Sequence, residues 1–190
     1  MIDHTGSVVS NEAGRRKWRL PIATATILAI SIIVTCARFA VPGLADALRR
    51  DPAALEHGEW WRIITPLFIQ PDPWAATLGV WVILLLAGAT VEKLFGTSRW
   101  IALYLIGAIV GEAAGYLWQP HGAGGSVAVA GLLGGFLAWC LARPTPRPSK
   151  VVAWLVLGAA CLDTWLRDIH GLPLLAGALA GALLLMPRSA

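Results

Sequence analysis

The chain has 190 residues, 57% of them apolar and only 14% charged, with a net charge of +4 and a mean hydropathy of +0.67. Soluble domains carry about a quarter charged residues, so this balance excludes a disordered, solvent-swollen chain and argues against a nucleic-acid binder despite the basic excess. Ten Trp residues in so short a chain suit a membrane protein, whose indoles collect at the two lipid–water interfaces.

A bilayer core about 30 Å thick takes about 20 apolar residues per helix. Residues 1–20 form a polar, basic tail, and the first apolar run follows at 21–43. That run predicts a retained helix rather than a cleaved leader, because its length exceeds the roughly 7–15 residues of a leader's apolar core. Ile33-Val34-Thr35-Cys36 also places Thr where a lipidation site needs Gly or Ala. One long connection, 44–73, comes next as an outer loop rich in acidic residues. Five further apolar runs, 74–91, 99–118, 124–142, 150–166 and 169–187, are joined by short connections and end in a tail at 188–190. One connection is the Pro-rich turn 144–148. The expectation is an all-α membrane protein, a six-transmembrane-helix bundle over 21–187.

Orientation follows from Lys and Arg near the helix ends. With the N-terminus in the cytoplasm, Arg15, Arg16, Lys17, Arg19, Lys93, Arg99, Arg143, Arg147, Lys150 and Arg188 fall inside. Arg38, Arg49, Arg50, Arg62 and Arg167 fall outside, a 10 to 5 division of the 15 basic residues that predicts N-in and C-in. Arg50 reads as an ordinary outer-loop arginine.

Cys36, Cys140 and Cys161 lie in apolar runs without the paired spacing of a zinc site or a disulfide framework, and read as packing residues. His57 and His121 are loop residues without convincing metal-ligand spacing, so no metal is expected. Asp163 and Arg167 stand four apart, a spacing for an i,i+4 ion pair. Glu112 lies within the third run, where ionisable groups face a bundle interior, and reads as a buried hydrogen-bond partner.

Helices associate in lipid through close packing, so glycine faces mark tight contacts. Gly107, Gly111 and Gly115 form one such face, Gly131 and Gly135 a second, and Gly177 and Gly181 a third. Ser126 opens the fourth run and His170 the sixth. In the N-in topology both stand in the outer leaflet at similar depth, on helices whose small faces allow close approach. That arrangement fits a nucleophile–base pair. Taken singly, Ser126 is more often a small residue at a helix N-terminus and His170 a polar interfacial residue; their shared depth on small-faced helices is what brings the pair reading level with these.

With these residues in place the sequence resembles the rhomboid family of intramembrane serine proteases over about 58–182. Gly58-Glu59-Trp60-Trp61-Arg62 resembles the family's first outer loop with its Trp-Arg motif, in which Trp61 and Arg62 are structural. Glu92-Lys93-Leu94-Phe95-Gly96 is similar to the family's turn after the second helix. Gly124-Gly125-Ser126 with Gly131 resembles the nucleophile motif, and His170 with Gly177 and Gly181 the sixth-helix histidine and its small face. The resemblance implies a Ser126–His170 dyad, with the Gly124-Gly125-Ser126 backbone supporting the oxyanion. It implies no cofactor, membrane-protein substrates or clients, and a bacterial plasma-membrane location.

The chain departs from the family pattern at several points. Val127 replaces the glycine after the nucleophile, and Ala76 and Val80 stand where a His and an Asn help to stabilise the oxyanion. Ala130 replaces the aromatic that stacks on the histidine, and Pro173 replaces a glycine. These departures keep open a pseudoprotease that binds membrane clients without cutting them. A small transporter or scaffold subunit is a third reading, opposed by the scarcity of ionisable residues at mid-membrane.

Overall fold

In a computed structural model of the chain the described residues are 20–70 and 73–186, and all their regular elements are helical. Nearly all of the N-terminal tail, the C-terminal tail and their basic residues lie outside the described residues. Helix α1 (Ile22–Ala37) is followed by two short helices in the outer connection, α2 (Leu44–Leu48) and α3 (Pro52–Glu56). Two 3₁₀ turns, Trp60–Ile63 and Thr65–Leu67, complete that connection. Helices α4 (Trp74–Ile83) and α5 (Ala89–Phe95) form one rod through a π turn at Leu84–Gly88. The wider turn is buttressed from outside, where the Trp100 indole donates to the Gly88 carbonyl at 3.0 Å. The remaining helices are α6 (Thr97–Trp118), α7 (Ser126–Ala142), α8 (Arg147–Trp165) and α9 (Gly171–Leu185). The rod Trp74–Phe95 and α6 are each long and apolar enough to cross a membrane, while α1, α7 and α9 are shorter apolar helices.

The centre of the molecule is a stack of three backbones with almost no side chains between them. A Cβ on Gly107 would lie 2.7 Å from Gly131 Cα, and one on Gly177 would overlap the Gly131 carbonyl. One turn further on, a Cβ on Gly181 would lie 2.8 Å from Gly135 Cα. The glycine faces of α6, α7 and α9 therefore meet one another, and α7 is held between the other two. Large apolar side chains, among them Trp100, Leu103, Val127 and Leu132, close the space around this contact and are fully buried.

Two carboxylates fasten the periphery to this centre. The Glu92 side chain accepts from the Ala23 and Thr24 backbone N–H groups at 3.0 and 2.9 Å, and from the Thr24 and Thr97 hydroxyls at 2.9 Å each. It thereby serves the free N–H groups that open α1 and ties them to the start of α6. Glu112 receives Arg50 Nη1 at 3.0 Å.

Arg50 corrects the sequence reading: it is 1% exposed, not a solvated loop residue. Its guanidinium lies against Gly115 and Gly122, where a Cβ would stand 2.7 and 2.5 Å from it, and its backbone N–H donates to the Gly122 carbonyl at 2.8 Å. Arg62 is also buried. It donates to the Asp46 and Arg49 carbonyls at 2.6 and 2.9 Å and pairs with Glu59 at 2.6 Å. Arg50→Ala strands the Glu112 carboxylate inside the bundle, an omission that commonly destabilises by about 3–5 kcal/mol. Its melting temperature in detergent should fall at least as far as that of Arg62→Ala. Arg49→Ala, which removes an exposed pair with Asp46, should leave it nearly unchanged.

Candidate active site

Ser126 is the first residue of α7 and follows a turn that only glycine fits. Gly124 has φ +131°, outside the range of side-chain-bearing residues, and its N–H donates to the Pro66 carbonyl at 2.8 Å. A Cβ on Gly125 would lie 2.5 Å from the Leu67 carbonyl. The outer connection thus presses directly on the turn before Ser126. Val127, where the resemblance leads one to expect glycine, points away from Ser126's surroundings into the core: a Cβ on Gly111 would overlap its side chain. The substitution is accommodated by an empty glycine face on α6.

His170 precedes α9 and is set by a tight turn after α8. Arg167 adopts a left-handed φ of 60°, and the Asp168 N–H donates to the Asp163 carbonyl at 2.8 Å. The expected i,i+4 ion pair of Asp163 with Arg167 does not form, because α8 ends at Trp165 and the chain leaves helical geometry between them. Gly171 packs on α8, where a Cβ would overlap the Ala160 carbonyl and the Thr164 hydroxyl.

The close α7–α9 contact brings the two side chains together. Ser126 Oγ is 2.9 Å from His170 Nε2. On the other side of the ring, His170 Nδ1 is 2.8 Å from Asp168 Oδ1, and the same oxygen accepts the His170 backbone N–H at 2.8 Å. An ionised carboxylate only accepts, so it fixes the proton on Nδ1 and leaves Nε2 free to accept from the Ser126 hydroxyl. Burial alone would raise the Asp168 carboxyl, but the backbone N–H and ring of His170 outweigh it and hold it below the ordinary carboxylate range. The contact is therefore present at neutral pH and lost only as pH falls through that lowered value.

The sequence reading missed Asp168, although its position two residues before His170 is the spacing at which a carboxylate can turn back onto both the backbone N–H and the ring. Ala130 is buried and leaves the ring without an aromatic neighbour at that position, and Pro173 sits in the first turn of α9, where its missing N–H is harmless. Ala76 is exposed, and neither it nor Val80 carries a donor. Trp60 and Trp61 are exposed, and the Trp61 indole donates to the Ala47 carbonyl at 3.1 Å. His57 and His121 join no cluster of three or more metal-ligating side chains among the described residues.

Comparison with known proteins shows which family the chain belongs to. A family model described as Rhomboid domain matches residues 57–188. Rhomboid protease GluP of Bacillus subtilis is 32% identical over 92 residues, 46% of this chain and 17% of that protein. Putative rhomboid protease YdcA of the same organism is 28% identical over 158 residues, covering 77% of this chain and 78% of the relative. Rhomboid-like protease 3 of Toxoplasma gondii is 32% identical over 94 residues, 46% of this chain and 35% of that protein. The chain thus spans a small part of the first relative's length and most of the second's.

Proposed function

Because the chain belongs to the rhomboid family, we propose that it is an intramembrane serine protease that cleaves peptide bonds in or beside the transmembrane segments of other membrane proteins. The observation that carries this reading is the 2.9 Å contact between Ser126 Oγ and His170 Nε2, with Asp168 on the far side of the ring. Ser126 Oγ attacks the scissile carbonyl carbon while its proton passes to Nε2. The carbonyl oxygen takes the π electrons and becomes the oxyanion. His170 then returns the proton to the departing amine, the C–N bond breaks, and an acyl group remains on Ser126. Water, deprotonated by the same nitrogen, releases the second product. The Ser126 backbone N–H, at the positive end of α7, is one donor toward the oxyanion. Asp168 stays ionised and holds the ring in its working tautomer.

The membrane setting rests on the family, whose members are membrane-embedded, and on an outer surface of large apolar side chains such as Leu86, Ile109, Leu155 and Leu179. We place the helices as six spans with both termini in the cytoplasm, in a bacterial plasma membrane. Reporter fusions at Ala190 and within 144–148 should both read as cytoplasmic, and an external reading at either overturns this map.

The protease reading is tested by exposing the purified chain to a fluorophosphonate, which phosphonylates an activated serine. Labelling that maps to Ser126 supports it. Asp168→Asn should slow that labelling about 10- to 100-fold. This is less than the roughly 10⁴-fold effect of losing a buried orienting Asp, because water reaches this half-exposed carboxylate. The absence of donors at Ala76 and Val80 favours the second reading, a pseudoprotease that binds membrane clients, and an unlabelled but folded chain would establish it in place of the first.

A further inference from the structure

The oxyanion expected at Ser126 has the Ser126 N–H on one side and, where second-helix donors would stand, Ala76 and Val80. Another amide is held in that neighbourhood. Gln70 is 1% exposed and fixed along its backbone: its N–H donates to Thr35 Oγ1 at 3.1 Å, and its carbonyl accepts from Arg38 Nη1. Its side chain lies across the turn that leads to the nucleophile. A carbon built as Cβ on Gly124 would touch both groups, at 3.0 Å from Gln70 Oε1 and 3.6 Å from Ser126 Oγ. A Cβ on Gly125 would stand 3.6 Å from Gln70 Nε2.

Gln70 Oε1 is buried with no hydrogen-bond partner among the described residues. An orphaned buried acceptor is unfavourable, and a methionine would fill the same volume without it. A polar group kept at such a place, against the turn that carries the nucleophile, is suited to a partner that exists only during reaction. The two ends of the amide have nearly the same shape, so a half-turn about its last bond exchanges Oε1 for Nε2 and turns the NH₂ toward Gly124 and Ser126.

We infer that Gln70 is a catalytic residue whose side-chain N–H donates to the oxyanion formed at Ser126. The inference rests on the protease reading. As Ser126 Oγ bonds to the carbonyl carbon and the carbonyl oxygen gains the electron pair, that oxygen enters the gap bounded by Gly124, the Ser126 N–H and the Gln70 amide. The amide releases it when the C=O bond re-forms and the amine departs. The outer connection thereby supplies the donor that α4 lacks.

The test compares fluorophosphonate labelling rates of the full chain, Gln70→Met and Gln70→Glu, with melting temperature measured alongside. Gln70→Met keeps the length and removes the donor. Labelling should slow about 100- to 1000-fold, as on loss of one oxyanion donor, while the melting temperature holds or rises because the orphaned acceptor is gone. A purely structural glutamine would give the reverse, a lower melting temperature with an unchanged rate in the folded fraction. Gln70→Glu has the glutamine's shape but an acceptor in place of the donor, and should be slowed at least as much; it carries the test if the methionine variant fails to fold. A labelled parent chain with an equally labelled Gln70 variant overturns this inference alone. An unlabelled parent chain overturns the protease reading and this inference with it.

Discussion

Ser126→Ala should abolish fluorophosphonate labelling outright, and His170→Ala should slow it by about 10³-fold or more. The first removes the only atom that bonds to the probe. The second removes the base that takes its proton, and general-base catalysis alone contributes about 10²- to 10⁴-fold. Neither change should disturb the bundle. Among the described residues Ser126 makes no side-chain cap on α7, and the 44% exposed His170 ring has partners only in Ser126 and Asp168. The melting temperatures should therefore stay near that of the parent chain. Labelling that persists in Ser126→Ala would place the reactive serine elsewhere. A collapse in melting temperature would show that the pair holds the fold together.

The second large effect is expected far from any reacting atom. Gly177→Val puts three carbons where the Gly131 carbonyl already sits, and backbone cannot rotate aside as a side chain can. Over-packing a core commonly destabilises by about 1–3 kcal/mol, and a backbone-to-backbone clash belongs at or above the top of that range. The loss should show twice, as a lower melting temperature and as slower labelling, because α7 carries Ser126 and α9 follows His170. Gly158→Val on α8 is the control: no atom of the described residues lies within 4 Å of the Cβ it would gain, so both measurements should stay near those of the parent chain. Equal effects of the two substitutions would mean that the glycine contact does not set the distance between Ser126 and His170.

The helices and the small faces on α6, α7 and α9 were legible in the sequence because both are local signals, a run of apolar residues and a spacing of four. Ser126 and His170 were legible because each opens a helix bearing such a face. Arg50 was not, since its partner Glu112 is 62 residues away and nothing near either residue announces the other. Asp163 and Arg167 misled for the opposite reason: the spacing was right, but the left-handed turn at Arg167 removed the helix that gives the spacing its meaning. Asp168 lay within sight at two residues from His170, yet a carboxylate at a helix boundary more often caps its own backbone. Here it does that and holds the ring as well. The buried amide of Gln70 left no local trace, because only the folded outer connection brings it over the Gly124–Gly125 turn.

The Glu92 carboxylate imposes an order on how the chain can be assembled. Its donors come from residues 23, 24 and 97, so the first helix emerges from the ribosome some 68 residues before the group that will satisfy its leading N–H groups exists. The knot closes only when Thr97 has followed, at the point where α6 begins. Until then α1 is tied to the chain that follows it through contacts such as Gln70 N–H to Thr35 Oγ1 and the Trp81 indole to Ser31 Oγ, while its leading N–H groups wait for Glu92; afterwards one carboxylate joins α1, the Trp74–Phe95 rod and α6. Chains released before Glu92 and after Thr97 should consequently differ in how well protease reaches the start of α1.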